Sequence, residues 1–159
     1  MLNNFFRIAD MLSLAYAFGA TVWFFFVQSP VLVKRMGRDQ FVPLQMSMVG
    51  PLFKSLSFAL LIMLGATFAQ GLALPSLPVL TAVLAFTGAL INAIYVIPRA
   101  LKYGGKSRKE ELEPEAQKSV ARFASDGGGK ASRLWHRLVV LFVVVMVTGL
   151  IPHAVWLAS

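Results

Sequence analysis

Four long apolar runs constrain this chain more than any other feature of its sequence. The first, Met11 to Val33, has no charged residue in 23 positions, and three more cover about 49–72, 79–97 and 138–158. A helix of about 20 residues crosses the roughly 30 Å hydrocarbon layer of a bilayer. Hydrophobic residues make up 57% of the chain, whereas a soluble domain is about 45–50% apolar. The sequence therefore predicts an all-α membrane protein, in which residues 1–159 form one domain with a bundle of four transmembrane helices.

The basic residues predict how these helices are oriented. With four crossings, the first and third connections share one side of the membrane, and both termini share the other side with the 73–78 turn. The first side holds 14 of the 15 Lys and Arg residues, and only Arg7 lies opposite. Loops on the cytoplasmic side carry such an excess of basic residues. We therefore expect a multi-pass protein of the inner (cytoplasmic) membrane, with both termini outside and a polar cytoplasmic loop of about 30 residues at 99–133.

The net charge of +8 has a different meaning beside a bilayer than in a soluble protein. In a soluble protein it would suggest nucleic-acid binding. Next to a membrane, basic loops contact anionic lipid headgroups. We therefore expect the lipid bilayer, and not nucleic acid, as a partner. The chain has no cysteine, which excludes disulfides, thiolate metal sites and cysteine nucleophiles.

A group of polar residues is predicted to lie in the cytoplasmic half of the bundle. Its members are Gln28, Gln45, Lys54, Asn92, Tyr95, Arg99 and His136. Spacing of i, i+4, i+7 and i+11 places four residues on one face of the third helix: Gly88, Asn92, Tyr95 and Arg99. That face should contact other helices, because an amide facing hydrocarbon has no partner. Such residues either join helices or line a binding or conduction site, and Lys54 has the further option of reaching the headgroups.

Glycines are predicted to mark the contacts between helices. Gly19 and Trp23 form one stripe on the first helix with Phe26, while Gly88 and Gly149 lie on the third and fourth helices. A glycine lets a neighbouring backbone approach closely. We therefore expect Gly19, Trp23, Gly88 and Gly149 to pack the bundle.

The two histidines bear on cofactor binding. His136 and His153 are 17 residues apart on one helix, or roughly 25 Å, so they cannot hold one haem iron within a single chain. A single axial ligand to haem or chlorophyll through His136 stays an alternative. His153 is expected to be a solvated residue at the outer interface. Met46 and Met48, with Met36 nearby, resemble a soft Cu(I) site, and His136 is a further metal-ligand candidate. The prediction is nevertheless that no metal or cofactor is bound.

Catalytic machinery is not evident. None of the predicted spans contains Asp or Glu, and a Ser/His/Asp arrangement would need a carboxylate at the depth of its histidine. We therefore expect no catalytic residues and no enzymatic activity.

Several short segments recur in an order known from one membrane family. They are Gly19-Ala-Thr-Val-Trp23 with Phe26-Val27, Phe41-Val-Pro-Leu-Gln45, Pro51-Leu-Phe53, Asn92-Ala93 with Pro98-Arg99, and His136. In order and spacing they resemble the family of transmembrane protein 205, a small four-helix domain without an assigned biochemical activity. The resemblance implies four spans and a polar loop before the last one. The chain departs from that pattern at Met48-Val-Gly50 and Trp135-His136-Arg137.

These observations favour a scaffold or accessory subunit that binds other membrane proteins, or copies of itself, in a larger complex such as a bioenergetic one. One alternative is an oligomeric permeation or resistance protein for small solutes or ions, lined by the polar residues above. A second is a haem- or chlorophyll-binding subunit that uses His136.

Overall fold

The structure, a computed structural model, describes residues 2–101 and 130–159, apart from the side chains of residues 38, 39, 42, 43, 46, 130–133 and 136. The described residues form helices and no strands. The helices are α1 (Leu2–Met36), α2 (Arg38–Ala69), α3 (Leu77–Leu101) and α4 (Lys130–Ala158). Each is long and apolar enough to cross a membrane, so the prediction of an all-α chain with four candidate spans is confirmed. Most of the predicted 99–133 loop lies outside the described residues.

The helices begin earlier than the hydropathy predicts. α1 starts at Leu2 and not near residue 11, and α2 starts at Arg38 and not near residue 49. Gly37 separates the two with a φ of 77°, a left-handed conformation that glycine adopts without steric cost. Hydropathy detects only the part of a helix that matches hydrocarbon, whereas a helix can extend beyond it. The longer α1 brings Asp10 into the bundle and places the exposed Arg7 against Leu157 of α4.

Successive helices pack against each other, α1 on α2, α2 on α3 and α3 on α4, and α1 also contacts α4. They alternate in direction, which gives the bundle two ends. The Asp10 end contains residues 2–10, the 70–76 connection and residues 153–159, and the Arg99 end contains residues 28–48, 92–101 and 134–139. Large apolar side chains fill the space between them, including Phe53, Leu56, Leu60, Met63, Met146 and Leu150.

Among the glycines of the bundle, those at the contact between α3 and α4 lie closest to the backbone of another helix. A Cβ atom added at Gly149 would lie 2.6 Å from the carbonyl oxygen of Thr81, and one added at Gly88 would lie 3.0 Å from the amide nitrogen of Met146. Ala85 and Ala89 on α3 are fully buried in the same contact. The structure thus places Gly88 and Gly149 where two helix backbones meet, as small residues allow in membrane bundles.

Two helices contain a π-helical turn just before a proline. In α1 it covers Trp23–Gln28 and precedes Pro30, and in α3 it covers Asn92–Val96 and precedes Pro98. Proline has no N–H donor and its ring crowds the carbonyl one turn earlier, so a wider turn is a common local adjustment. In α1, the Ser29 hydroxyl donates a hydrogen bond to the Phe24 carbonyl oxygen at 2.6 Å.

Candidate functional site

The predicted polar residues lie near the Arg99 end, where the structure distributes them over separate helix contacts. Between α1 and α2, Gln28 Nε2 donates to Met48 Sδ at 3.5 Å, and Gln45 Nε2 donates to Ser29 Oγ at 3.3 Å. Lys54 is exposed on α2. Amides that bond across a helix interface in this way join helices.

The α3 residues of the group make a second set of contacts. Asn92 is fully buried, and its Nδ2 donates to the Val139 carbonyl oxygen at 3.2 Å, while its Oδ1 has no partner among the described residues. The Arg99 guanidinium carbon lies 3.4 Å from the centre of the half-exposed Tyr95 ring, a cation–π contact. The side chains of His136 and Met46 lie outside the described part of the chain.

The prediction that Gly19 and Trp23 pack the bundle is wrong within this chain. A Cβ added at Gly19 would have no neighbour within 4 Å, and Trp23 is 60% exposed. Their stripe lies on the outer surface of α1 because the opposite face, with buried Ser13, Ala17 and Thr21, packs on α2 and the rest of the bundle.

The buried polar site lies instead at the Asp10 end. Asp10 on α1 and His153 on α4 are both fully buried. Two expectations are corrected here: a span does contain an acidic residue, and His153 is not solvated. Asp10 is buried because it lies at i and i+3 spacing with Ser13 on the inward stripe of α1.

Three polar side chains contributed by α2, its C-terminal end and α4 surround the Asp10 carboxyl group. His153 Nε2 lies 2.9 Å from Oδ1, Gln70 Nε2 donates to Oδ2 at 3.0 Å, and Thr67 Oγ1 lies 3.3 Å from Oδ2. A carboxyl group can remain in an apolar interior only when it is paired and hydrogen-bonded in this way.

The other ring nitrogen of His153 faces α3. Nδ1 lies 3.1 Å from the Pro78 carbonyl oxygen and 3.2 Å from Thr81 Oγ1. The Trp156 ring packs on the imidazole with 5.4 Å between the ring centres. All four helices therefore contribute to one cluster of Asp10, Thr67, Gln70, Thr81 and His153, which we call the Asp–His site.

A small open pocket lies beside the Asp–His site. Its volume is about 210 Å³, and it is lined by Arg7, Gln70, Trp156, Leu157 and Ser159. Gln70 belongs to both the pocket wall and the Asp–His site, where it bonds Asp10. Trp156 in the pocket wall packs on His153. The Arg7 guanidinium donates to the Leu157 carbonyl oxygen at 3.0 Å and lies at the pocket wall. Polar groups thus connect the buried pair to the surface at the Asp10 end.

The chemistry available here is acid–base chemistry. Among the described residues, no group of three or more His, Asp or Glu side chains could hold a metal ion. Both nitrogens of His153 are engaged within the protein, which leaves neither for an axial ligand bond. A buried carboxyl–imidazole pair between membrane helices is a common arrangement for holding or passing a proton.

Part of this site could have been found in the sequence. Asp10, Ser13, Ala17 and Thr21 form a stripe of small or polar residues at helical spacing, which predicts an inward face if the first helix is extended towards residue 2. The partner is 143 positions away, and no local pattern connects the two residues.

Comparisons with known proteins place the chain in a family. No curated protein and no solved structure matches it. A family model described as a domain of unknown function, DUF4149, matches residues 12–107, which is 96 of the 159 residues. Thr67, Gln70 and Thr81 lie within the matched segment, and Asp10 and His153 lie outside it. Because the match covers more than half of its length, the chain belongs to the DUF4149 family.

Proposed function

We propose that the protein is a non-enzymatic accessory subunit of the inner membrane that binds a transmembrane helix of another membrane protein. The observation that carries the proposal is a groove on the outer surface between α1 and α2. It has a volume of about 310 Å³ and is lined by Leu12, Ser13, Tyr16, Ser55, Phe58, Ala59 and Ile62. The resemblance of several short segments to the transmembrane protein 205 family, a four-helix domain without an assigned biochemical activity, supports a small four-span domain.

The groove contains hydroxyl groups on a surface that would face hydrocarbon. The half-exposed Tyr16 donates a hydrogen bond from its hydroxyl to Ser55 Oγ at 2.9 Å, and Ser55 donates to the Leu52 carbonyl oxygen at 2.8 Å. The Tyr16 oxygen keeps its capacity to accept a further bond. Hydroxyl groups join helices in membranes, where lipid offers them no partner. A helix with a small or polar residue at this level would supply one.

The outer stripe of α1 continues the groove. Leu12, Tyr16, Gly19 and Trp23 follow i, i+4, i+7 and i+11 spacing and are all exposed. Gly19 gives a flat position between two aromatic residues, where a second helix can approach closely. The glycine–aromatic pattern that predicted packing inside the chain therefore supports packing with a partner.

The orientation is part of the proposal. Thirteen of the 15 Lys and Arg residues belong to the Arg99 end or to segment 102–133 that joins its helices, Lys54 lies further along α2, and Arg7 lies at the Asp10 end. This distribution supports a cytoplasmic Arg99 end and an outer Asp10 end.

Photocrosslinking in intact cells tests the docking groove. A photoreactive residue at Phe58 in the groove, which is 66% exposed, should give a protein adduct of one discrete mass. The matched control carries the photoreactive residue at Val144 on α4, which is 54% exposed, and should react only with lipid. Gly19→Leu should abolish the Phe58 adduct, because the larger side chain keeps the partner helix away from α1. Ala154→Leu on the exposed side of α4 should leave the adduct intact. Lipid adducts alone at both positions, or a chain that always purifies as a monomer in mild detergent, would reject the proposal.

A second candidate is an oligomeric permeation protein. The buried Asn92 Oδ1, which lacks a partner among the described residues, favours it. The filled apolar core of one chain weighs against a pathway through the monomer, so several copies would be needed to supply a lining. Solute flux into proteoliposomes that is equal for wild type, Asn92→Leu and Arg99→Ala would exclude these residues as the lining.

Haem or chlorophyll binding through His136 is the remaining alternative. It predicts visible absorbance in purified protein that His136→Ala removes. A colourless preparation from cells that make the cofactor would exclude it.

A further inference from the structure

We propose that Asp10 and His153 form a proton-binding site, in which a buried acid–base pair holds one exchangeable proton that enters and leaves at the Asp10 end of the bundle. The proposal concerns residues on the inner faces of the helices and does not depend on the docking groove. The contacts of the Asp–His site limit how many hydrogens it can hold.

The contacts on the α3 side of the site favour a hydrogen on Nδ1. The Thr81 hydroxyl has one hydrogen, and the carbonyl oxygens of Leu77 and Pro78 both lie 3.0 Å away as acceptors. Nδ1 of His153 lies 3.1 Å from the Pro78 carbonyl oxygen. A carbonyl oxygen can only accept, so this contact is a hydrogen bond only when Nδ1 carries a hydrogen. With its own hydrogen donated to a carbonyl, Thr81 likewise accepts from Nδ1.

The α1 side then requires a second hydrogen. If Nδ1 carries the only hydrogen of a neutral ring, Nε2 is an acceptor, and it lies 2.9 Å from the acceptor Oδ1 of Asp10. A proton between these two atoms converts the contact into a bond, either from a carboxylic acid to imidazole or from imidazolium to carboxylate. Both forms have zero net charge. Burial favours a neutral pair over an isolated carboxylate.

The remaining Asp10 partners fit this neutral pair. The Thr67 hydroxyl lies 2.8 Å from the Met63 carbonyl oxygen and 3.3 Å from Asp10 Oδ2, so its single hydrogen is directed to the carbonyl. Gln70 Nε2 is then the one strong neutral donor to Oδ2. A single neutral donor stabilises an isolated carboxylate much less than a charged partner does.

Release of the proton needs only a local rearrangement. On release, Nδ1 gives its hydrogen to water that enters at the Asp10 end, and the hydrogen shared with Oδ1 stays on Nε2, where it is donated to the Asp10 carboxylate. Nδ1 becomes an acceptor, and the Thr81 hydroxyl turns from the carbonyls to donate to Nδ1 across 3.2 Å. The reverse sequence binds the proton again. Thr81 therefore acts as the rotor that makes both states hydrogen-bonded.

The surroundings supply access and partial charge balance. Gln70 and Trp156 separate the pair from the 210 Å³ pocket, so a side-chain movement of either opens it to water. The charged or titratable groups of the described residues at this end are Arg7 and Asp10 on α1 and His153 on α4. The faces of α2 and α3 contribute only the neutral groups of Thr67, Gln70, Thr81 and Pro78. The Arg7 guanidinium at the pocket wall is the basic side chain available among the described residues at this end as a counter-charge when the proton leaves.

Nitrogen NMR of the full chain in lipid vesicles tests the proposal. The chain has two histidines, so His136→Gln gives a protein whose only ¹⁵N-histidine signals come from His153. We expect Nδ1 to be protonated in acidic buffer and to lose its hydrogen reversibly as the buffer becomes alkaline, while Nε2 keeps or gains one. An Nδ1 that is unprotonated throughout would overturn the hydrogen count. An Nδ1–H signal that never changes while the bundle stays folded would overturn proton exchange.

Two variants separate a proton site from a structural pair. In Asp10→Asn the new amide donates to Nε2 and its oxygen accepts from Gln70, so the fold is kept and the hydrogen should stay on Nδ1 through the conditions in which the wild-type signals change. In Thr81→Val the released state loses its donor to Nδ1, so the protonated state should persist to more alkaline buffer. The proposal fails if the His153 signals of Asp10→Asn follow pH as the wild-type signals do, or if Thr81→Val has no effect on them.

Discussion

The contact between α3 and α4 leads to a quantitative prediction about three glycines. A Cβ at Gly149 would lie 2.6 Å from the Thr81 carbonyl oxygen and 2.7 Å from the Ala85 nitrogen, whereas ordinary contact begins at 3.4 Å. Both atoms are backbone, so Gly149→Ala must push the helices apart by most of an ångström. The fully buried Met146 and Leu150 share this contact and would lose part of their packing.

The expected cost follows from these distances. Overpacking of this kind costs about 1–3 kcal/mol, and the better helix propensity of alanine returns up to about 1 kcal/mol. Gly149→Ala should therefore lower the free energy of unfolding by about 1–2 kcal/mol, or roughly 5- to 30-fold in the folding equilibrium. Gly88→Ala, with its nearest atoms at 3.0 Å, should cost less.

Gly65 provides the matched control. It lies within α2, and a Cβ there would have no neighbour within 4 Å. Gly65→Ala should be neutral or stabilising by up to about 1 kcal/mol. Reversible unfolding in mixed micelles with increasing dodecyl sulfate, followed by circular dichroism, ranks the variants by their free energy of unfolding. Equal stability of the Gly149→Ala and Gly65→Ala variants would refute the reasoning from backbone distance.

Three further predictions concern the polar residues and the topology. Asp10→Ala leaves the His153 and Gln70 donors without their acceptor and should destabilise the bundle by about 1–3 kcal/mol. Asp10→Asn should lose clearly less free energy of unfolding in the same assay. Equal losses in the two variants would contradict the bonding described for Asp10. Asn92→Ala removes the bond to the Val139 carbonyl oxygen and should cost about 0.6 kcal/mol, typical of helix-joining bonds in membranes, so a loss of several kcal/mol would indicate a larger role. A cysteine tag after Ser159 should react with a membrane-impermeant reagent in intact cells, and protection of the tag would invert the proposed orientation.

The candidate site was largely hidden from the sequence, for a reason that its two main residues show. Asp10 precedes the uncharged run, so a hydropathy reading places it outside the membrane helix. Its burial depends on donors from α2 and α4 that lie 60 and 143 positions along the chain. Near the Arg99 end, Gln28, Gln45 and Asn92 bond across helix contacts, and the sequence could not predict their partners. Lys54 is exposed instead, and Arg99 contacts Tyr95 on its own helix. Spacing identifies a face of a helix but not the helix that covers it.

By itself, the sequence determined that this is a helical chain with four candidate membrane spans, because the length of an apolar run is a local property that matches the thickness of a bilayer. Only the tertiary structure decided which glycine meets another helix. Gly149 touches the α3 backbone while Gly19 faces outwards, although both occur in similar apolar surroundings. It also decided that Asp10 and His153 meet. Such choices depend on how whole helices rotate and pack, and that rotation is set by the sum of contacts over the bundle.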